Sequence, residues 1–221
     1  LPAVCPLCQG TLARKEGEVA IRCINPDCFA RRVRQIEHFV SKQGLNVEGL
    51  GPRIVELLLQ ENLVEDSADL FNLNSVDLQA LPGFKAKAIA NLLAALGKAK
   101  QVNLNNFLFA LGIPGVGEQM AWQLAVWLAG QSDTQTVEPL RCLAQLSSFS
   151  VDDFLQQEGI GEVVASALVD YFSSASTAGL FAKFQQAGLV LRMARPQAST
   201  GKLAGTTLVF TGTLSTLSRQ Q

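Results

Sequence analysis

The sequence holds a single histidine, His38, with no second histidine to work beside it, and this argues against histidine-based catalysis. It has no uninterrupted apolar run long enough to span a bilayer, so no membrane partner is expected. The first ten residues hold two cysteines and two prolines but no basic stretch followed by an apolar one, so they do not read as a secretory signal. A cytoplasmic, reducing setting is the default. There is no basic excess either: the net charge is -1. That argues against holding nucleic acid by a strongly positive surface, though not against presenting backbone amides to phosphates.

What is present is a substantial core and an uneven charge. Apolar residues make up 48% of 221 residues, enough for one large or two small domains. The basic part is the first fifth of the chain, where Arg14, Lys15, Arg22, Arg31, Arg32, Arg34 and Lys42 outnumber Glu16, Glu18, Asp27 and Glu37.

Four of the five cysteines fall in two close pairs, Cys5-x2-Cys8 and Cys23-x4-Cys28, with fourteen residues between Cys8 and Cys23. Each tight turn brings two thiolates to one metal, and the intervening stretch runs out and back as a hairpin. Strands are expected at Thr11–Ala13 and Val19–Arg22, with a turn at Glu16-Gly17-Glu18. Four soft ligands with no open position suit a structural, tetrahedral Zn2+. So small a segment cannot build its own core, so the metal supplies much of its folding free energy. Two redox-active or incidental pairs are the alternative reading. Cys142, in the apolar run Leu140–Leu146, reads as a small core residue.

After Cys28, the residues Phe29, Val33, Ile36 and Val40 recur at helical spacing. The other face of that helix carries Arg31, Gln35, His38 and Lys42, with Arg34 beside it. It is either a solvated face or one turned to DNA; His38 bonds a phosphate, or else a backbone carbonyl inside the fold.

The rest of the chain repeats one unit: a short apolar helix, a glycine loop, a longer helix. The loops are Val47-Glu48-Gly49-Leu50-Gly51, Leu81-Pro82-Gly83-Phe84-Lys85, Ile113-Pro114-Gly115-Val116-Gly117 and Gln157-Glu158-Gly159-Ile160-Gly161. The helices after them are predicted at about 52–60, 85–99, 118–128 and 162–172, with Pro52 suited to a first turn. Caps for the preceding helices are expected at Ser75, at Asn103 or Asn105, and at Ser150. Glycine at both loop positions is read as supplying positive φ and as leaving room for a phosphate at the free N–H groups of the second helix. Gly49, Gly51, Gly83, Gly115, Gly117, Gly159 and Gly161 are therefore candidate DNA-backbone contacts. In the second loop, Lys85 stands at the second glycine position; with Lys87 it holds phosphate as a point charge, or that hairpin is structural. Leu50, Phe84, Val116 and Ile160 should point inward. A helical bundle with glycine turns and no ligand is the alternative.

These residues carry a family resemblance. The cysteine pattern, the basic helix with His38-Phe39, and Val47-Glu48-Gly49-Leu50-Gly51 resemble the zinc-finger and helix-hairpin-helix region of bacterial NAD-dependent DNA ligases. Ala68-Asp69-Leu70-Phe71-Asn72-Leu73, Phe109-Ala110-Leu111-Gly112-Ile113, Val116-Gly117-Glu118 and Val164-Ala165-Ser166 are similar to that family too. The resemblance covers about residues 1–192. After a linker at about 194–202, Gly205 to Leu214 resembles the first strand and loop of a BRCT domain. Standing alone, such a strand is expected to be poorly ordered.

The resemblance implies a mainly α fold: a four-cysteine zinc finger (1–30), a domain of four helix-hairpin-helix motifs (31–192), a linker (193–202) and a truncated BRCT-like start (203–221). It implies nicked double-stranded DNA as partner, in replication and repair, with nucleoid-associated localisation. The family transfers AMP from NAD+ through a lysine in a Lys-x-Asp-Gly motif and seals nicks with Mg2+. No such motif occurs in this sequence, so no catalytic or NAD-binding residue is assigned. Those steps are expected in adenylation and OB domains of the same polypeptide, and this portion should be inactive alone. A non-catalytic zinc and helix-hairpin-helix module of another repair protein, and a helical scaffold that touches no DNA, are the competing readings.

Overall fold

A computed structural model describes residues 3–14, 20–131 and 134–193. The expected turn at 16–18, most of the linker and the BRCT-like stretch lie outside the described residues. At the N-terminus, β1 (Leu12–Arg14) and β2 (Ile21–Cys23) pair antiparallel, Leu12 opposite Cys23. Then α1 (Phe29–Val40) starts directly after Cys28, whose carbonyl accepts from the Arg31 and Arg32 amides. The fourth cysteine thus caps the first helix, joining the small module to the helical part.

The four repeat units follow. The helix α1 packs on α2 (Pro52–Gln60), and α3 (Ser75–Gln79) on α4 (Ala86–Ala99). Further on, α5 (Leu104–Ala110) packs on α6 (Glu118–Gly130), and α8 (Val151–Leu155) on α9 (Glu162–Ser173). Units three and four dock reciprocally. A methyl group built on Gly115 would lie 2.7 Å from Val164 Cγ2 on α9, and one on Gly159 would lie 3.8 Å from Met120 Cε on α6. Units one and two are also neighbours: Gly49 faces Leu92 of α4, and Arg53 of α2 shares a cleft with Pro82 and Gly83.

Two helices lie outside the repeat: α10 (Ala175–Gln186), which joins the pairs, and α7 (Pro139–Ser147), which packs on α9 and α10. Phe184 of α10 stacks on Phe39 of α1 at 5.3 Å and meets Phe107 of α5 edge-on at 5.4 Å. All three rings are buried to 2% exposure or less, so each contributes about 1.5–3 kcal/mol of apolar burial at the junction. Lys183 of α10 reaches Asp66 at 2.7 Å and Asp69 at 3.1 Å, in the connection that follows α2. A small sheet adds a second tie: β5 (Val190–Arg192) lies between β3 (Gln101–Asn103), to which it is parallel, and β4 (Thr136–Val137), to which it is antiparallel. Val102, Val137 and Leu191 face the core.

Candidate zinc centre and nucleic-acid interface

Cys5, Cys8, Cys23 and Cys28 converge, their sulfurs all within 4.8 Å of one another. The Cys8–Cys23 and Cys5–Cys28 sulfurs are 3.5 and 3.9 Å apart. A disulfide would need about 2.0 Å. Four thiolates each about 2.3 Å from one Zn2+ stand about 3.8 Å from each other in a tetrahedron. The donor set therefore fits zinc in type, number and spacing. The Gly10 amide donates to Cys8 Sγ at 3.4 Å, the main reason that thiol is pulled down to about 6. Burial pushes the Cys23 thiol up to about 12. Arg31 lies alongside, its guanidinium donating to the Ile24 carbonyl at 3.1 Å.

Each glycine loop is a tight turn built the same way. The fourth residue's amide bonds the first residue's carbonyl: Leu50 to Val47, Phe84 to Leu81, Val116 to Ile113 and Ile160 to Gln157, at 3.0 to 3.4 Å. The third residue is left-handed, with φ of +91° at Gly49, +85° at Gly83, +82° at Gly115 and +80° at Gly159. A glycine in that place, with proline before it in Pro82 and Pro114, is the signature of a type II turn. The residue that follows the turn glycine is buried in Leu50, Val116 and Ile160 and half-buried in Phe84.

The expectation that both glycines supply positive φ is corrected here. Gly51, Gly117 and Gly161 are helix N-caps with φ of -83°, -86° and -92°, in extended backbone open to any residue. Lys85 occupies the same place with φ -107°. The second hairpin is therefore no geometric exception. What the second glycine gives is space: a Cβ on Gly51, Gly117 or Gly161 would meet nothing within 4 Å. Those three glycines and Lys85 are exposed. The first helical bonds are made by later amides, such as Ile54 to Gly51 and Val164 to Gly161, so the amides before them have no intrahelical acceptor. They point outward where the helix dipole is positive.

Other expectations shift in detail. Asn74, not Ser75, caps α3, in a reciprocal capping box with Asp77. Ser150 caps α8 the same way with Asp153. Asn103 stands at the N-cap of α5 without a side-chain bond. Of the two roles open to His38, the structure shows the internal one: Nε2 lies 2.8 Å from the Phe109 carbonyl oxygen, and the ring packs on Phe109. Cys142 is core, and burial pushes its thiol up to about 12. Arg31, Arg34, Gln35 and Lys42 are exposed.

One residue was missed. At the second position of the long helix the four units carry Arg53, Lys87, Gln119 and Val163, all exposed. Arg53 matches Lys87 and lies beside the second turn. Aligning the units by their turn glycines would have found it.

A four-cysteine knuckle feeding tandem helix-hairpin-helix units defines a class: a zinc-bearing module coupled to nucleic-acid backbone-binding motifs. Comparison with known proteins narrows it. A family model described as the NAD-dependent DNA ligase C4 zinc finger domain matches residues 4–30, and one described as a SAM-like helix-hairpin-helix tandem matches residues 45–98. All of the chain aligns with a DNA ligase of Thermosipho africanus at 37% identity, covering 32% of that protein, and with one of Chloroflexus aurantiacus at 40%, covering 30%. A DNA ligase of Chlamydia pneumoniae aligns with 99% of the chain at 36%, covering 31% of the relative. The chain is thus similar along its whole length to DNA ligases and carries a match to the C4 zinc finger of the NAD-dependent ones, and it spans about a third of the length of these relatives.

Proposed function

We propose that this chain is the DNA-gripping portion of an NAD-dependent DNA ligase, holding nicked duplex by its sugar–phosphate backbone without reading sequence. The observation that carries the reading is the set of four turns, each opening a helix N-terminus to approach by a phosphate. This mode of grip suits a chain of net charge -1. The zinc centre fixes the knuckle against α1, with no open coordination position and hence no part in bond-making. Gly49, Gly51, Gly83, Lys85, Lys87, Gly115, Gly117, Gly159 and Gly161 are the proposed contacts, with Arg53 added. NAD+ and Mg2+ supply the adenylyl group and its charge neutralisation when bound, at residues outside this chain. The rest of the polypeptide, with its adenylation and OB domains, carries the chemistry, in the cytoplasm at the nucleoid. This portion alone is proposed to be inactive.

Titration of the 221-residue chain with nicked duplex at several salt concentrations tests the reading. Binding that weakens as salt rises is expected. No binding at low salt hands the case to a protein scaffold. Restored sealing when the chain is rejoined to an adenylating partner, and none without it, separates a ligase from a non-catalytic repair module. In parallel, Cys8→Ser should release zinc and unfold residues 3–28 while helix signal persists; retention of one full equivalent of zinc contradicts the ligand set.

A further inference from the structure

A groove of about 1050 Å³ opens beside the first two hairpins, with Gly49 and Gly83 at one end and β3 and β5 at the other. Its walls carry Lys42, Lys98 and Arg192 against a single carboxylate, Glu48, in a chain of net charge -1. All three cations are exposed. Among the described residues, Lys42 and Lys98 have no carboxylate at ion-pair distance, and Arg192 bonds the neutral Gln101. The carboxamides of Asn91 and Asn103 also line the groove, offering donors and acceptors without charge.

A second observation links the groove to the turns. On α4, Lys87, Asn91, Ala94 and Lys98 stand at i, i+4, i+7 and i+11, a single face, and all four are exposed. No acidic residue occurs in α4. The stripe runs about 16 Å from the amide-presenting end of the helix to the groove. Roughly five phosphates of one duplex strand occupy that axial length, at about 3.4 Å each.

We infer that this groove is a second sugar–phosphate site, continuous with hairpins one and two through the exposed face of α4. It takes DNA backbone that leaves the turns and adds electrostatic hold to a grip made of uncharged amides. The inference rests on the DNA-gripping reading and adds Lys42, Lys98 and Arg192 to its contacts.

The test uses the whole 221-residue chain and its triple variant Lys42→Gln, Lys98→Gln, Arg192→Gln, with helix content and unfolding midpoint checked for both. Affinity is measured on nicked duplexes of increasing length over a salt series. The triple variant is expected to lower the slope of log affinity against log salt by about two to three, at roughly 0.9 per phosphate contact, and to lose the affinity the parent gains on longer duplexes. Lys98→Arg should keep the parent's slope. A folded triple variant with the parent's slope and length dependence overturns the groove while leaving the hairpins standing. A parent chain that binds no duplex at low salt overturns both.

Discussion

The two double hairpins share one backbone plan and differ in charge. In hairpins one and two, residues 47–53 and 81–87 carry Arg53, Lys85 and Lys87 against Glu48. In hairpins three and four, residues 113–119 and 157–163 carry only Glu118, Glu158 and Glu162. The first pair opens onto a cationic groove, whereas α6 and α9 contain no lysine or arginine. Turn geometry is constant across all four, so the fold does not require either charge pattern. Glu118 and Glu162 sit at helix starts, where they favour the helix and oppose an anion. The two pairs thus set one turn geometry between opposite flanks: cations beside it attract an anion and add salt dependence, whereas acids at the helix start oppose one.

The largest expected effect separates the pairs by packing. Gly115→Ala adds a methyl 2.7 Å from Val164 Cγ2 at a φ of +82°. It should cost about 2–4 kcal/mol, from overpacking and left-handed strain together. Gly83→Ala, with nothing within 4 Å and φ of +85°, should cost only about 1–2 kcal/mol. Denaturant unfolding of both variants decides; equal losses would remove the tight reciprocal docking of units three and four.

The next contrast is charge. Lys85→Gln with Lys87→Gln should lower the salt slope of duplex binding by about two. Glu118→Gln with Glu162→Gln should tighten binding about two- to five-fold for each carboxylate removed, the size of a helix-end charge effect. Weaker binding from the glutamate variants would show those side chains making favourable contacts and would break the contrast. Gly117→Ala should cost no more than about 1 kcal/mol, since alanine accepts that backbone but is the poorer N-cap, while reducing affinity by occupying open space. Unchanged affinity would take hairpin three out of the grip.

The smallest effect concerns the joint between the pairs. Burial raises the Asp69 pKa, but bonds from the Glu65 and Asp66 amides and from Lys183 outweigh it and hold that carboxyl below its ordinary value of 3.8. A depressed carboxyl stabilises the fold above its unfolded pKa, and the gain is lost as pH falls through the folded value. The stability lost as pH falls below about 4 should therefore be smaller in Lys183→Met than in the parent. With Lys183 40% exposed, the pair is worth about 1 kcal/mol or less. Parallel stability curves for variant and parent over that range would contradict the assignment.

Much of this was legible in the sequence because it rests on local rules. Cysteine spacing placed the four thiols, and the turn glycines placed four helix starts within a residue or so. What escaped depended on distance along the chain. The strands of β3, β4 and β5 are two or three residues long, too short for alternation to register, and they pair Gln101 with Val190. The role of α10 rests on Phe181 and Phe184 meeting rings from α1 and α5, a tertiary fact. The second loop glycine misled because its composition suggested strain, while the backbone there is extended and Lys85 fits it equally well. Asn74 rather than Ser75 was a one-residue slip between two good caps.

The central claim, that main-chain amides at these helix starts hold phosphate, is tested most directly by amide NMR of the chain as nicked duplex is added. The account predicts that the amides of Gly51, Gly117 and Gly161, with that of Lys85, move early and furthest as binding saturates. Saturation with those four signals unmoved, and shifts confined to lysine and arginine side chains, would contradict it.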